Sequence, residues 1–398
     1  MGPVVALSIL IPARNEMFLG RTIADILEHS EADTEIIAVL DGYWPEPGIP
    51  QNERVTILHY PESIGQRAAT NRAAEIARGR YLMKVDAHCA FAQGFDRILL
   101  EDMQPDYCMV PVMRNLHAFD WVCPNGHRRY QGPSGVCAEC GRPTTQDIVW
   151  IAKTSPQSTA YRFDTEPHFQ YFNEYKRRPE GRGDLTETMS LQGSCFMISR
   201  DNYFAWNVSD ESWGSWGSQG IEVAFKTWLH GGRVVCNQRT WYAHLFRTQG
   251  ADFSFPYEMS AAQQEAAKGK ARKFINSHPD TLNMLLDRFA PVPGWEQRGS
   301  LSSGVLYYTD NRLDPAIMAA CQEQLYKAAD GRRIVSVSLA PLDFGDNITL
   351  DLERGYLTMF RQILAGLEAL DCDVVYFAEH DVLYSPSHFA FTPPARGR

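Results

Sequence analysis

The first hundred residues alternate two hydrophobic periodicities, and this alternation restricts the fold more than any other feature of the chain. Residues 7–11 form a short apolar run. Phe18, Leu19, Ile23, Ile26 and Leu27 then recur at helical spacing before a second run at residues 35–40. A third run at residues 55–58 precedes an alanine-rich helical pattern over residues 66–77, with Gly79 placed to end it, and residues 81–85 give the next strand. Strands and helices in this order predict an α/β domain with a mostly parallel, Rossmann-like sheet flanked by helices. Ligands are expected in the crevice beyond the strand carboxyl ends. Asp41, Asp86 and His88 all fall at such ends, and Pro12, Arg14 and Asn15 line the same crevice by position.

A proline-, glycine- and polar-rich stretch at residues 115–147 interrupts the pattern and reads as an insertion. Strand character resumes over residues 191–199, followed by a short helix at 221–230 and a strand at 233–236. Residues 258–277 read as a surface helix, and Pro291, Pro293 and Gly294 as linker. From residue 333 a strand, helix, strand theme returns, with runs at 334–339 and 374–378 around a helical stretch at 350–370, ending on Glu379-His380-Asp381. The expected organisation is an α/β domain over 1–257 holding the insertion, a helical and linker region over 258–330, and a partial α/β unit over 331–398. That last unit is too short for a nucleotide-binding sheet of its own. It reads as a fragment or an accessory, with a structural role for its acidic triplet.

Composition bounds the function. Hydrophobic residues at 44% and charged residues at 22% describe an ordinary globular protein, and the formal charge of -10 supplies no overall basic field for nucleic acid. The apolar stretch at residues 4–11 is far shorter than a membrane span and is followed at once by Pro12, Arg14, Asn15 and Glu16. Nine cysteines, odd in number and unevenly placed, fit reduced thiols in a cytoplasm-like compartment better than a disulfide framework.

Two constellations carry chemistry. In Val85-Asp86-Ala87-His88-Cys89 a carboxylate and an imidazole sit one residue apart at a strand end, where both can face one divalent ion. In the insertion, Cys123-x3-His127 and Cys137-x2-Cys140 supply four ligands in two pairs, the set that a closed tetrahedral Zn²⁺ site needs. The segment between the pairs has too few apolar residues to fold alone, so a structural Zn²⁺ would supply its folding energy. Arg128, Arg129 and Tyr130 give this ribbon a basic and aromatic tip of the kind that can contact nucleic acid.

The segments SILIPARNE, AVLDG, GQRAATNRAAEIARGRYLMKVDAHCAF, LQGSCFMISRDNYF, WGSQGIEVAFKTWLHGGRVV and TWYAHLFR follow one another as in the GT-A fold glycosyltransferases. The chain most resembles the polypeptide N-acetylgalactosaminyltransferases over residues 4–257, less the insertion. The resemblance implies a GT-A fold, a UDP-sugar donor, retention of configuration and an ion, Mn²⁺ or Mg²⁺, held by Asp86, His88 and the distant His244. It implies further that Asp41 reads the base and that Arg67, with Asn71 on the same helical face, points at the donor. Trp216, Gln219 and Glu222 fall where the family shapes its sugar pocket. Gln219 replaces an acid there, which puts the sugar identity in doubt. Arg247 would steady the leaving diphosphate, and residues 248–257 would form a lid.

These features point to a metal-dependent transferase acting on an acceptor hydroxyl. No N-terminal span and no carbohydrate-binding repeat is evident, which favours a cytoplasmic bacterial or viral enzyme that needs no membrane. The acceptors left open are a hydroxymethylated DNA base of the phage type, ranked first because of the ribbon, a protein side chain and a growing glycan. The competing reading is a non-catalytic zinc-ribbon binding module on a degenerate transferase fold. The oligomeric state is not readable.

Overall fold

The computed structural model describes residues 5–46, 48–246, 257, 261–295 and 302–389. The chain forms two compact units, residues 1–295 and 296–398.

The first unit opens with β1 (Leu7–Ala13), α1 (Leu19–His29), β2 (Thr34–Asp41), β3 (Val55–Tyr60), α2 (Gln66–Ile76), β4 (Tyr81–Val85), β5 (Cys89–Phe91) and α3 (Phe95–Asp102). It continues through β6 (Tyr107–Val122), β7 (Arg128–Tyr130), β8 (Thr145–Ser158), β9 (Tyr161–Phe163), β10 (Phe169–Tyr171), β11 (Leu185–Glu187) and β12 (Cys195–Ser199). It closes with α4 (Arg200–Ala205), α5 (Gln219–Leu229), β13 (Arg233–His244), α6 (Ala261–Asn276) and α7 (Pro279–Arg288).

Every residue of β1, β2 and β4 is buried, as expected of strands covered on both faces. The main sheet runs β11-β13-β6-β12-β4-β1-β2-β3. β1 pairs in parallel with both β2 and β4, in a register that sets Ala13 beside Leu40 and Leu10 beside Lys84. The carboxyl ends of these strands therefore lie side by side, which makes the crevice. Small side chains let α2 lie close to the sheet: Ala69, Ala73 and Ala74 are wholly buried. Gly79 is required by the same closeness, since a Cβ there would stand 2.6 Å from the Ser8 amide nitrogen.

The stretch read as an insertion is the outer end of a long antiparallel hairpin, β6 against β8, with β7 also paired to β6. Its base has a core of its own, in which Leu116, Phe119, Trp121 and Trp150 pack with Phe18 and Leu245 of the main domain. The polar tip masked this in sequence, because the apolar residues lie in flanking strands that also continue the main sheet.

The second unit consists of β14 (Ser303–Thr309), α8 (Pro315–Ala328), β15 (Arg333–Ser338), β16 (Asp346–Thr349), α9 (Tyr356–Ala369) and β17 (Val374–Glu379). Its strands form a parallel sheet in the order β16-β15-β14-β17. The boundary between the units divides the 258–330 stretch: α6 and α7 belong to the first unit, whereas β14 and α8 belong to the second. β14 was passed over as linker although it is the strand paired with both β15 and β17. No described helix is long and apolar enough to cross a membrane.

Candidate metal centre and donor cleft

Asp86 leaves β4, His88 precedes β5, and β13 returns antiparallel to β5 with His244 opposite Cys89. The pairing brings the His88 Nε2 and His244 Nε2 atoms to 3.1 Å and places Asp86 Oδ2 3.3 Å from His244 Nε2. The ligand atoms of all three residues lie within 4.8 Å of one another. Ligand atoms about 3 Å apart are what one ion with bonds of about 2 Å separates.

Neighbouring groups fix each ligand. The Glu16 carboxylate stands 3.1 Å from His88 Nδ1, so the imidazole proton is held on that side and the Nε2 lone pair faces the cluster. The Lys84 ammonium donates to Asp86 Oδ1 and, at 2.8 Å, to the Gly193 carbonyl, leaving Oδ2 turned toward the histidines. Burial alone would raise the Asp86 carboxyl, but the Lys84 charge, the hydrogen bond from His244 and the nearby His88 hold it well below the usual carboxylate range. Burial pushes His244 down to about 4, opposed in part by Asp86. At neutral pH the site therefore offers one carboxylate and a neutral His244, which suits a borderline cation such as Mn²⁺.

The cluster forms the floor of a cavity of about 520 Å³. Pro12 borders it near the end of β1, Trp216 borders it from the loop that enters α5, and Gln219 from the first residue of that helix. Gln219 is buried with no hydrogen-bond partner on its Nε2 among the described residues, so it has an N–H to offer a ligand.

Other residues assigned to the donor are engaged with the protein's own groups or lie outside the cavity lining. Asp41, read as the base-binding acid, is wholly buried. Its carboxylate accepts from Ser63 Oγ at 2.9 Å, Ile64 N at 2.6 Å and Gly65 N at 3.1 Å, fixing the loop before α2. Arg14 donates to the Asp41 carbonyl at 3.1 Å and carries its guanidinium over the Tyr257 ring, while Asn15 is exposed and is not among the cavity residues. Arg67 points inward, into neither the donor cleft nor solvent: it donates to Glu222 at 2.9 Å and to the carbonyls of Gly214 and Gly217 at 3.0 and 2.6 Å. Glu222 is enclosed, accepting also from Lys226 Nζ at 2.9 Å and Asp210 N at 2.8 Å, so its carboxylate is engaged within the protein. Asn71 is held by Ser209, Glu211 and Tyr203. Trp213 is core, stacked beneath Lys226. Arg247 and nearly all of the lid segment lie outside the described residues.

Sequence reasoning missed Glu16 and Lys84. Both had a signal: Glu16 follows β1 within the crevice-lining turn, and a lysine inside a buried parallel strand requires a partner.

At the hairpin tip, Cys123 Sγ lies 3.7 Å from Cys140 Sγ, and Cys137 Sγ lies 3.5 Å from His127 Nδ1. The four ligand atoms lie within 4.8 Å of one another. Gly126 and Gly141, at φ of 84° and 67°, shape the two turns that follow Cys123 and Cys137, with the Gly126 and Gly141 amides donating to the Cys123 and Cys137 carbonyls.

Residues 8–125 match the model of glycosyl transferase family 2. Two curated relatives are polypeptide N-acetylgalactosaminyltransferases. A putative polypeptide N-acetylgalactosaminyltransferase 13 of Drosophila melanogaster is 24% identical over 281 residues, covering 65% of this chain and 45% of the relative. Polypeptide N-acetylgalactosaminyltransferase 14 of Homo sapiens is 24% identical over 297 residues, covering 71% and 46%. A crystal structure of GalNAc-T7 with UDP, GalNAc and Mn²⁺ aligns at a TM-score of 0.47 and 17% identity, covering 73% of this chain and 53% of that one. The first unit has the α/β architecture of a GT-A fold and is similar in sequence to these transferases. The chain spans less than half the length of the curated relatives named here.

The scaffold role of Glu222 has a measurable consequence. Glu222→Ala leaves the Arg67 guanidinium buried without its carboxylate, and is expected to lower the unfolding free energy of this unit by about 3–5 kcal/mol in urea titration. A Glu222→Ala protein of unchanged stability but lost turnover would return the residue to the catalytic machinery.

Proposed function

We propose that this chain is a metal-dependent glycosyltransferase that binds a UDP-sugar above Asp86, His88 and His244 and passes the sugar to an acceptor hydroxyl. The observation that carries the reading is the convergence of those three ligands, backed by Glu16 and Lys84, on the floor of a cavity large enough for a nucleotide-sugar. A bound divalent ion there would act as a Lewis acid on the diphosphate as it leaves. The protein's own part is to orient: Lys84 and Glu16 hold one carboxylate and one imidazole toward a common point, and burial keeps His244 neutral.

Retention of configuration by front-face attack is the stereochemical course we favour. Among the described residues the carboxylates bordering the cavity are Glu16 and Asp86, and both are engaged at the metal centre. Neither is placed to serve as a covalent nucleophile, and Glu222 is enclosed by its own cations. The acceptor stays at the level of a hydroxyl. The ribbon tip offers DNA less than its sequence suggests, since Arg128 is paired with Asp120 at 3.1 Å and with Asp147 at 2.6 Å.

Hydrolysis of UDP-sugars tests the proposal. Turnover is expected with Mn²⁺, to vanish in chelator, and to fall at least about 100-fold in Asp86→Ala or His244→Ala. Metal-independent turnover, or an active Asp86→Ala protein, would contradict it.

For the ribbon we propose a structural Zn²⁺ on Cys123, His127, Cys137 and Cys140. Purified protein is expected to carry one equivalent of zinc by elemental analysis. Cys137→Ser should lose that zinc and make the hairpin tip sensitive to protease. Zinc-free protein with a protease-resistant tip would refute the assignment.

A further inference from the structure

The hairpin that carries the ribbon also backs the metal centre. Phe18 lies two residues after Glu16, Ala90 two after His88, and Ala243 and Leu245 flank His244. All four belong to the same buried cluster as Phe119, Trp121 and Trp150 of the hairpin. The wall behind the metal ligands is thus made of side chains delivered by β6 and β8.

Trp150 is the most constrained of them. The pairing of β6 with β8 shifts register between His117↔Ile151 and Phe119↔Ile148, so Val149 and Trp150 together face the single residue Ala118. This is a β-bulge, a device that re-aims a side chain. Trp150 sits in it at φ 56°, a left-handed conformation that a bulky residue adopts only when its surroundings impose it. The re-aimed indole is buried, whereas Ile148 and Ile151 on the same strand are exposed. It lies against the Phe18 ring at 5.6 Å between centroids and beneath the Arg21 guanidinium.

Its Nε1–H donates to Asp25 Oδ2 at 3.0 Å, and the other oxygen of Asp25 accepts from the Phe91 amide at 2.8 Å. One turn earlier on α1, Thr22 Oγ1 accepts from the Cys89 amide at 3.1 Å. Asp25 therefore ties the hairpin to β5, the strand that holds His244 opposite Cys89 and follows His88 directly.

We infer that Trp150 is a positioning residue for the metal centre, acting through Asp25 and β5 on His88 and His244 and through Phe18 on the turn that carries Glu16. The inference rests on the donor-site reading above. It gives the hairpin a task beyond carrying a ribbon: its bulge sets the spacing of metal ligands that it does not touch.

Mn²⁺ affinity, followed by electron paramagnetic resonance of the free ion, reads this without turnover. Trp150→Phe keeps an aromatic ring, though a smaller one, and removes the N–H donor, while Asp25→Asn weakens the same bridge from the helix side. Each is expected to bind Mn²⁺ about five- to tenfold more weakly than the unaltered protein, at or just below the low end of what direct outer-shell partners of metal ligands contribute. The double variant should be no weaker than the worse single one, and zinc content should be unchanged. Equal Mn²⁺ affinity in both variants, whatever their melting temperatures, overturns the inference. Should Trp150→Phe fail to fold, Asp25→Asn alone decides it in the same way. Absence of Mn²⁺ binding by the unaltered protein would instead remove the donor-site reading itself.

Discussion

A three-residue antiparallel pairing, β5 against β13, is the contact on which the metal centre depends. It sets His244 beside His88 across 156 positions of sequence, and no local feature of either segment would bring them together. β13 also runs parallel to β6, and after a register irregularity between Asn237 and Trp241 the pairing resumes and runs on to His244, beside Asn115. The third ligand is thus a product of sheet topology, and its spacing from the other two is set by how firmly β5 is held to α1.

Two buried ionic systems show how placement separates scaffold from site. Arg67, Glu222 and Lys226 form a closed set whose charges meet one another and nearby carbonyls. Such a set specifies how the loop before α5 lies against α2 and has no capacity left for a ligand. Lys84 and Asp86 form an open set: one carboxylate oxygen is neutralised internally and the other is presented to the cavity. Both set a carboxylate beside a buried cation, and exposure of the carboxylate to the cavity distinguishes them.

Much of this was legible in sequence, and the failures have identifiable causes. Hydrophobic periodicity located β1, α1, β2, α2 and β4, because strands buried on both faces read as continuous apolar runs. The Asp86 and His88 spacing and the paired Cys and His ligands of the ribbon were visible as local patterns. The pairing of Arg67 with Glu222 was not legible because a polar residue in a motif reads alike whether its side chain faces a ligand or another buried charge. The hold on Asp41 was not legible because the amides it binds at residues 64 and 65 are backbone groups, which leave no trace in composition. β14 escaped because its apolar core is only a few residues long and it lies in a segment otherwise marked by proline and glycine.

The central claim is that one ion and one nucleotide share the cleft above Asp86, His88 and His244. A crystal of the protein with Mn²⁺ and UDP, measured at the manganese absorption edge, tests it most directly. The account predicts a single anomalous peak within bonding distance of Asp86 Oδ2, His88 Nε2 and His244 Nε2, contiguous with density for a diphosphate in the cavity. An ion bound elsewhere, or UDP in the cleft with those three side chains uncoordinated, would contradict it.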